Sequence, residues 1–410
     1  MARRGSVQPV VDLGLAVGLV AALAVVYGLD RQLPTKNVDR GSELKVVKTT
    51  DEPKPEPAPP KVLRLGVTPD VHGESDPLST VKVYDDMGKL LDTLGEGYKY
   101  THFPLEDLQE MKKIAEYDVI FLTCSTSPSS WLGEATGAGQ RPGTQQFKPK
   151  AEVIDQVTHN LHEFVAHGGT LYASDFHYGL VATAFRDLAD LDAAHTGLDQ
   201  QVNAEVVDPG LHELIGGEMK LDFDLAGWYP AAFSGKDVAT YMRGKYKAEG
   251  GGELTAPLLV KFPYQDGTVI FTSFHNEKQN SETELKLLRY LVFSAVTAEV
   301  ESHVQRTMVQ GGFSPAKQNL FSASSGEQSA ASVYHADEAG RLQFVLGFQN
   351  LGAELRLTVV GPDGKKLEKT GTSTITIEVP DAAAGDWHYT VTALKLPNEN
   401  FPFTVTVGQK

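Results

Sequence analysis

Residues 151–175 read AEVIDQVTHNLHEFVAHGGTLYASD and predict a helix that is followed at once by a buried strand. Apolar residues recur at helical spacing in the first part and form one face, and Gly168 and Gly169 end the helix. That face consists of Val153, Ile154, Val157, Leu161, Phe164 and Val165. The short apolar run at 169–175 is typical of a strand inside a sheet.

The same alternation continues on both sides of this stretch. Strands are predicted in VLRLGVTPD (62–70), in YDVIFLTCS (117–125) and, joined by a turn, in APLLVKFPYQDGTVIFTSFH (256–275). A final helix begins at Ser281, where SETE matches a capping box with Glu284 three residues on. Strands that alternate with helices predict an α/β domain at 62–297, with a mostly parallel sheet and helices on both faces.

The N-terminal part carries a signal for cellular location. Residues 10–29, VVDLGLAVGLVAALAVVYGL, form an apolar run long enough to cross a bilayer as a helix. Two arginines within residues 1–9 favour a cytoplasmic N-terminus, with the remaining chain in the periplasm or outside the cell. A cleaved signal peptide is the alternative, since Ala22-Leu23-Ala24 fits a cleavage motif. We therefore expect a single-pass signal anchor.

Two connecting segments and a second domain are predicted. The polar, proline-rich residues 30–61 indicate an extended linker, and residues 298–311 indicate a helical or irregular connector. Residues 312–410 contain short apolar runs at regular spacing, which predict an all-β sandwich. Those runs are GRLQFVLGFQN, ELRLTVVGPDG, TSTITIEVP, DWHYTVTAL and PFTVTVG.

Composition excludes several classes of function. The chain has 410 residues, of which 41% are hydrophobic and 9% aromatic, enough to bury folded cores. The formal net charge is −16 and no dense lysine and arginine cluster occurs, so no nucleic-acid partner is expected. Cys124 is the only cysteine, which excludes an intramolecular disulfide and a zinc site built from several cysteines.

Three segments of the α/β domain resemble the class I glutamine amidotransferase-like superfamily, and more closely its trehalose-utilisation-type branch. They are EYDVIFLTCSTSP (116–128), FVAHGGTLYASDFHYGLV (164–181) and GTVIFTSFHNEKQNSETELKLLRYLVFSAV (267–296). In the family these segments contribute to the oxyanion site, carry the nucleophile, and carry the histidine before the last helix. The resemblance implies a flavodoxin-like fold.

The resemblance also implies that the usual nucleophile is missing. The family places a cysteine in a Gly-x-Cys-x-Gly turn, whereas this turn reads ASDFHYG, with Asp175 or Ser174 at the corresponding position. His275 stands where the family has its histidine. Phe176 and Tyr178 replace the small residues that would let a substrate carbonyl approach backbone N–H donors. Amide hydrolysis through a thioester is therefore not expected.

Residues 312–410 resemble the bacterial pre-peptidase C-terminal type of β-sandwich. The likeness lies in LRLTVVGPDGKKL and VPDAAAGDWHYTVTAL. Such domains accompany secreted or surface proteins, which implies a location in the cell envelope.

Asp175, His177 and His275 are the candidate site residues. We expect them at the C-terminal edge of the sheet, where α/β folds bind ligands. Two histidines and a carboxylate suit a divalent metal such as zinc, or general acid/base chemistry. The other interpretation is that these polar groups only satisfy strand ends and each other.

Five further residues have weaker interpretations. Trp131, in a long glycine-rich loop, and Trp228 are candidates for contact with a ligand or partner, although local core packing also explains Trp228. The pair Asp85-Asp86 is interpreted as a solvated helix face, and Cys124 as a small residue at the end of a strand.

Together these observations predict a membrane-anchored extracytoplasmic binding or scaffold protein with no cofactor. Its partners are the membrane and, in the envelope, protein or carbohydrate. One alternative is a metal-assisted or acid/base hydrolase that uses Asp175, His177 and His275. Another is an accessory subunit of a membrane assembly.

Overall fold

The computed structural model describes residues 63–68, 85, 87–124, 133–138, 145–276, 279, 281–324, 329–349 and 351–410, with only the backbone at 133–138 and 145–149. The predicted anchor and linker lie outside these residues, and so does Trp131. Among the helices of the described part, none has the length and apolar character needed to cross a membrane.

A nine-stranded sheet forms the centre of the α/β part. In spatial order its strands are β2 (Tyr100–His102), β1 (Leu65–Val67), β3 (Val119–Leu122), β6 (Thr170–Ser174), β11 (Gly267–Thr272), β10 (Glu253–Tyr264), β9 (Ala239–Lys247), β7 (Gln200–Val206) and β8 (Glu218–Phe223). The first five of these pair in parallel. Their order follows the flavodoxin-like 2-1-3-4-5 pattern, so the expected fold of this part is confirmed.

The other half of the sheet is antiparallel and was not predicted in full. β10 and β11 form the predicted hairpin, and Gln265 in its turn has a φ of 50°. β9, β7 and β8 then continue the sheet in antiparallel pairs. In β7 buried and exposed residues alternate, so this strand lacks the continuous apolar run by which the parallel strands were recognised. A separate pair, β4 (Gly133–Ala138) and β5 (Gln145–Pro149), lies outside the sheet.

Helices cover both faces of the sheet, as predicted. The helices are α1 (Met87–Asp92), α2 (Met111–Ile114), α3 (Ala151–Ala166), α4 (Tyr178–Ala184), α5 (Pro209–Ile215) and α6 (Glu282–Gln310). Buried residues of α1 and α6 belong to one core cluster, and those of α3 and α4 belong to another. α3 lies within the predicted 151–175 stretch, and Gly168 follows it with a φ of 100°.

The longest helix of the described residues, α6, packs against both the α/β sheet and the C-terminal sheets. It begins with the predicted capping box, in which Glu284 N donates to Ser281 Oγ and Ser281 N donates to Glu284 Oε2. Residues 290–298 are buried without interruption, as expected for a helix covered on all sides. Further on only Glu301, Val304 and Met308 are buried, which leaves one apolar stripe. The predicted connector at 298–311 is thus almost entirely a continuation of α6.

The C-terminal part consists of two four-stranded antiparallel sheets. One has the order β12 (Ser314–Ala323), β19 (Phe401–Gln409), β14 (Gly340–Gly347) and β17 (Ile375–Ala382); the other has β13 (Ser329–Ala336), β18 (Gly385–Lys395), β15 (Glu354–Val360) and β16 (Lys366–Gly371). Phe344 and Val405 of the first sheet share one core with Leu357 and Tyr389 of the second. The five predicted strands are β14, β15, β17, β18 and β19, whereas β12, β13 and β16 were not predicted.

Polar contacts fix the C-terminal sheets to the α/β part. Gln349 Nε2 donates to Val296 O of α6 at 2.7 Å, and Tyr98 OH donates to Asn400 O at 2.5 Å. Glu213 at the end of α5 accepts hydrogen bonds from Asn319 and Ser332, at 2.8 and 2.9 Å, and also from Lys317. The two parts therefore form one compact unit.

The Glu213 cluster is expected to make stability depend on pH. Burial raises the pKa of Glu213, but the hydrogen bonds from Lys317, Ser332 and Asn319 outweigh it and hold the pKa below its ordinary value of 4.5. A lowered folded-state pKa stabilises the fold above the unfolded-state pKa, and this contribution is lost as the pH falls through the folded value. Since the side chain is 44% exposed, we expect no more than about 1 kcal/mol.

Thermal unfolding of the unaltered chain and of a Glu213→Gln variant measures this effect. The difference in Tm should be present near pH 7 and should disappear well below the ordinary glutamate pKa of 4.5. A difference in Tm that stayed constant over this pH range would show that the contribution comes from packing or neutral hydrogen bonds and not from the charge of Glu213.

Candidate functional site

The carboxyl ends of three neighbouring strands bring the candidate residues together. β3, β6 and β11 lie side by side and run in parallel. They end shortly before Cys124, Asp175 and His275, respectively. Because parallel strands end at the same edge of a sheet, residues separated by about a hundred positions meet here.

Asp175 occupies a sharp turn between β6 and the helical segment that follows. Its φ is 39°, in the left-handed region that residues other than glycine rarely adopt. Ser174 before it has extended backbone angles and is the last residue of β6. Of the two residues proposed for the nucleophile position, Asp175 is therefore the one at the strained turn.

The carboxylate of Asp175 is buried and fully engaged. Tyr229 N donates to Oδ1 at 2.9 Å, and His275 Nε2 lies 2.7 Å from Oδ2. The thiol of Cys124 approaches the same Oδ2, with 3.7 Å between sulfur and oxygen. The side chain of Asp175 is only 1% exposed. From its position after β6, this carboxylate thus contacts the segments that follow β3 and β11.

Asp85 is a second buried carboxylate at this edge, and its interpretation as a solvated residue is wrong. Ser174 Oγ donates to Asp85 Oδ2 at 2.5 Å, and Cys124 N and Asn276 N donate to the two oxygens at 3.2 Å each. Burial raises the pKa of Asp85, and the hydrogen bond from Ser174 opposes this effect. The sequence offered no signal for this position, because Asp85 does not follow directly on a predicted strand.

His275 lies between two carboxylates. Its Nε2 contacts Asp175, and its Nδ1 lies 3.9 Å from Asp224 Oδ1, just after β8. Burial lowers the pKa of His275, but the hydrogen bond to Asp175 and the charges of Asp175, Asp85 and Asp224 together raise it above its ordinary value. An imidazole flanked in this way is suited to hold a proton or to exchange it for a cation.

Cys124 is a thiol and not an activated thiolate in this environment. It is 1% exposed, and burial together with the charge of Asp175 raises the pKa of its thiol well above the ordinary value. Thiolate nucleophiles need the opposite, an electropositive and partly exposed surrounding. Cys124 is therefore not suited to act as a nucleophile, although the sequence interpretation missed its place in the site.

Two other predicted residues are also buried. His177 lies at the start of α4, and among the described residues the group that could hold a metal consists of Cys124, Asp175 and His275. Trp228 is a core residue, 1% exposed and stacked on Phe223.

A cavity at the junction of the α/β part and the C-terminal sheets offers room for a partner group. Its volume is about 320 Å³. Apolar side chains of Leu63, Val296, Leu351 and Phe401 contribute to its lining, together with the polar side chain of Asn398. The cavity is separate from the cluster at the strand ends, since none of its lining residues belongs to that cluster.

Comparisons with known proteins give structural similarity without sequence similarity. No family model matches the chain. No curated protein matches it either. Among solved structures, the chain is similar to a putative ThuA-like protein from Bacteroides uniformis, with 13% identity, 60% of this chain and 96% of that chain covered, and a TM-score of 0.38. A cytoplasmic protein from Salmonella typhimurium is similar at 14% identity, over 57% and 96% of the two chains, with a TM-score of 0.34.

A glutamine amidotransferase from Thermotoga maritima is also similar, at 9% identity. The similarity covers 61% of this chain and 94% of that chain, with a TM-score of 0.31. All three TM-scores are below 0.5, and the strand order itself identifies the flavodoxin-like arrangement.

Proposed function

We propose that this chain is a membrane-anchored extracytoplasmic binding or scaffold protein with an amidotransferase-like domain that has lost its catalytic thiol. The observation that carries this proposal is the turn after β6. There Asp175 stands where the family that the chain resembles has a cysteine, and its carboxylate is buried with both oxygens hydrogen-bonded. A carboxylate held in this way stabilises the strand ends and is not exposed to a substrate.

Two further features support a scaffold. The sandwich and the α/β part are joined by α6 and by the Glu213 cluster into one compact unit, which would present partner surfaces in a fixed arrangement. The cavity at their junction would accept an apolar group of a protein or carbohydrate partner. The apolar run at 10–29 and the resemblance of residues 312–410 to the pre-peptidase C-terminal type support a place in the envelope.

Hydrolysis assays test this proposal directly. The purified full-length chain should not hydrolyse glutamine, simple esters or aryl glycosides above the rate of a His275→Ala variant. Activity that disappears in that variant would contradict the proposal. Crosslinking in native membranes should in addition give discrete adducts with other envelope components, and a solitary monomer would count against a scaffold.

A second candidate function, an acid/base hydrolase, is favoured by one specific geometry. Asp175, His275 and Asp224 form a carboxylate–imidazole–carboxylate row, with separations of 2.7 and 3.9 Å. In such a row the flanking carboxylates stabilise the imidazolium, which can then donate a proton as a general acid. The same assays separate the two proposals, because hydrolysis abolished by Asp175→Asn would favour the enzyme.

A further inference from the structure

Three potential metal-ligand atoms lie close together at the strand ends, one each from Cys124, Asp175 and His275. The Sγ, carboxylate oxygen and ring nitrogen all lie within 4.8 Å of one another. Asp175 Oδ2 is shared, because it is 3.7 Å from Cys124 Sγ and 2.7 Å from His275 Nε2. Thiolate, carboxylate and imidazole are the three ligand types that bind zinc in proteins.

The distances are close to those of a tetrahedral site. Zinc–ligand bonds of about 2.0–2.3 Å place neighbouring ligand atoms roughly 3.3–3.8 Å apart. The separation of Cys124 from Asp175 already falls in that range. A shared metal would require His275 Nε2 and Asp175 Oδ2, now 2.7 Å apart, to separate by about half an ångström.

The charge of the surroundings favours a cation. Asp85 and Asp175 are both fully buried, and no lysine or arginine of the described residues pairs with either of them. Their hydrogen-bond donors are backbone amides, a hydroxyl, a thiol and the imidazole of His275. Two buried carboxylates that have only the His275 imidazole as a cationic neighbour among the described residues are costly, and a divalent metal relieves that cost.

We propose that Cys124, Asp175 and His275 bind one divalent metal ion of the zinc class. On metal binding the S–H proton of Cys124 and the Nε2–H proton of a doubly protonated His275 ring leave to solvent. Metal–sulfur, metal–nitrogen and metal–oxygen bonds form, the ring keeps its Nδ1–H, and no redox change occurs. Asp224 then accepts the hydrogen bond from the Nδ1–H of His275 and holds the ring in the correct tautomer. Three protein ligands leave the fourth position for water or a ligand.

Cobalt provides a sharp test, because Cys124 is the only cysteine in the chain. The full-length protein, stripped with chelator and dialysed, is titrated with Co²⁺ and, separately, with Zn²⁺. We expect about one ion per chain and a near-ultraviolet thiolate-to-cobalt charge-transfer band. That band can only come from Cys124, so the spectrum of the unaltered chain decides the question even if a variant fails to fold.

Variants assign the ligands. In Cys124→Ser the charge-transfer band should be lost. In Asp175→Asn and His275→Gln the zinc affinity should fall by more than the roughly 10–100-fold that is lost when a residue hydrogen-bonded to a metal ligand is changed. Asp224→Asn should lie within that range and keep the band. His167→Gln, at the other end of β6 and 72% exposed, serves as the control and should bind normally.

Three results would overturn the metal site: a folded chain that binds no zinc, cobalt binding without the thiolate band, or loss of zinc in His177→Gln with retention in Cys124→Ser. The metal site is a separate proposal from the binding or scaffold role and does not depend on it. A metal-loaded chain without hydrolytic activity would support both proposals, and a metal-free chain without activity would overturn only this one.

Discussion

Replacement of Lys261 by methionine is expected to destabilise the folded chain by about 3–5 kcal/mol. Lys261 on β10 forms an ion pair with Glu301 of α6 and also donates to Ser294 Oγ at 2.9 Å. The side chains of Lys261 and Glu301 are 13% and 4% exposed, so the methionine variant leaves a buried carboxylate without its cation. The loss is large because burial removes the water that would otherwise solvate that charge.

Denaturant unfolding of Lys261→Met, Glu301→Leu and the double variant forms a cycle that isolates the pair. The double variant should be considerably more stable than the sum of the single losses predicts, because both charges are removed together. Additive losses, or a loss of less than about 1 kcal/mol in Lys261→Met, would show that the ion pair is not effectively buried.

Replacement of Trp228 by alanine is expected to cost about 3–5 kcal/mol. The indole stacks on Phe223 with 3.9 Å between ring centroids, and its Nε1 donates to Leu198 O at 2.9 Å. Gly197 lies against it so closely that a Cβ there would come within 2.1 Å of the ring. The variant therefore creates a large cavity and removes one of two hydrogen bonds to the Leu198 carbonyl, which keeps the one from Gln200 Nε2.

The matched controls are Trp228→Phe and Leu191→Ala. The phenylalanine variant retains most of the packing and should lose clearly less stability than the alanine variant. Leu191 is 59% exposed, and its truncation should change the free energy of unfolding by no more than about 0.5 kcal/mol. An unchanged free energy of unfolding in Trp228→Ala would restore the view of this residue as a contact residue.

The parallel part of the fold could be predicted because each buried strand is a continuous apolar run bounded by helices. β6 and α3 illustrate this, since every residue of β6 is buried. The sequence of residues 104–117, PLEDLQEMKKIAEY, is typical of one short helix, but it forms a 3₁₀ helix at Leu105–Gln109 and then α2, with an extended Glu110 between them. Asn160 Nδ2 of α3 donates a hydrogen bond to Leu108 O at 2.9 Å. This contact joins segments that are distant in the sequence, so no local pattern reveals it.

The candidate site was only partly accessible from the sequence. The resemblance to amidotransferase-like proteins drew attention to Asp175 and His275, which the structure places 2.7 Å apart. Cys124 could have been added, because it follows β3, the neighbour of β6 in the flavodoxin-like order. Asp85 could not, since its contacts with Ser174 and Asn276 depend on how three distant strand ends meet.

The shared helix has a consequence for how the protein can be divided. Val304 and Met308 on the last turns of α6 pack with Phe313 and Val345, so the sandwich is completed by the helix that also covers the α/β sheet. A cut after residue 297 would divide α6 inside its buried stretch at 290–298 and expose apolar residues on both fragments. Neither part can therefore be transferred to another protein as an independent domain. A fusion that contains either part would have to include the whole of α6.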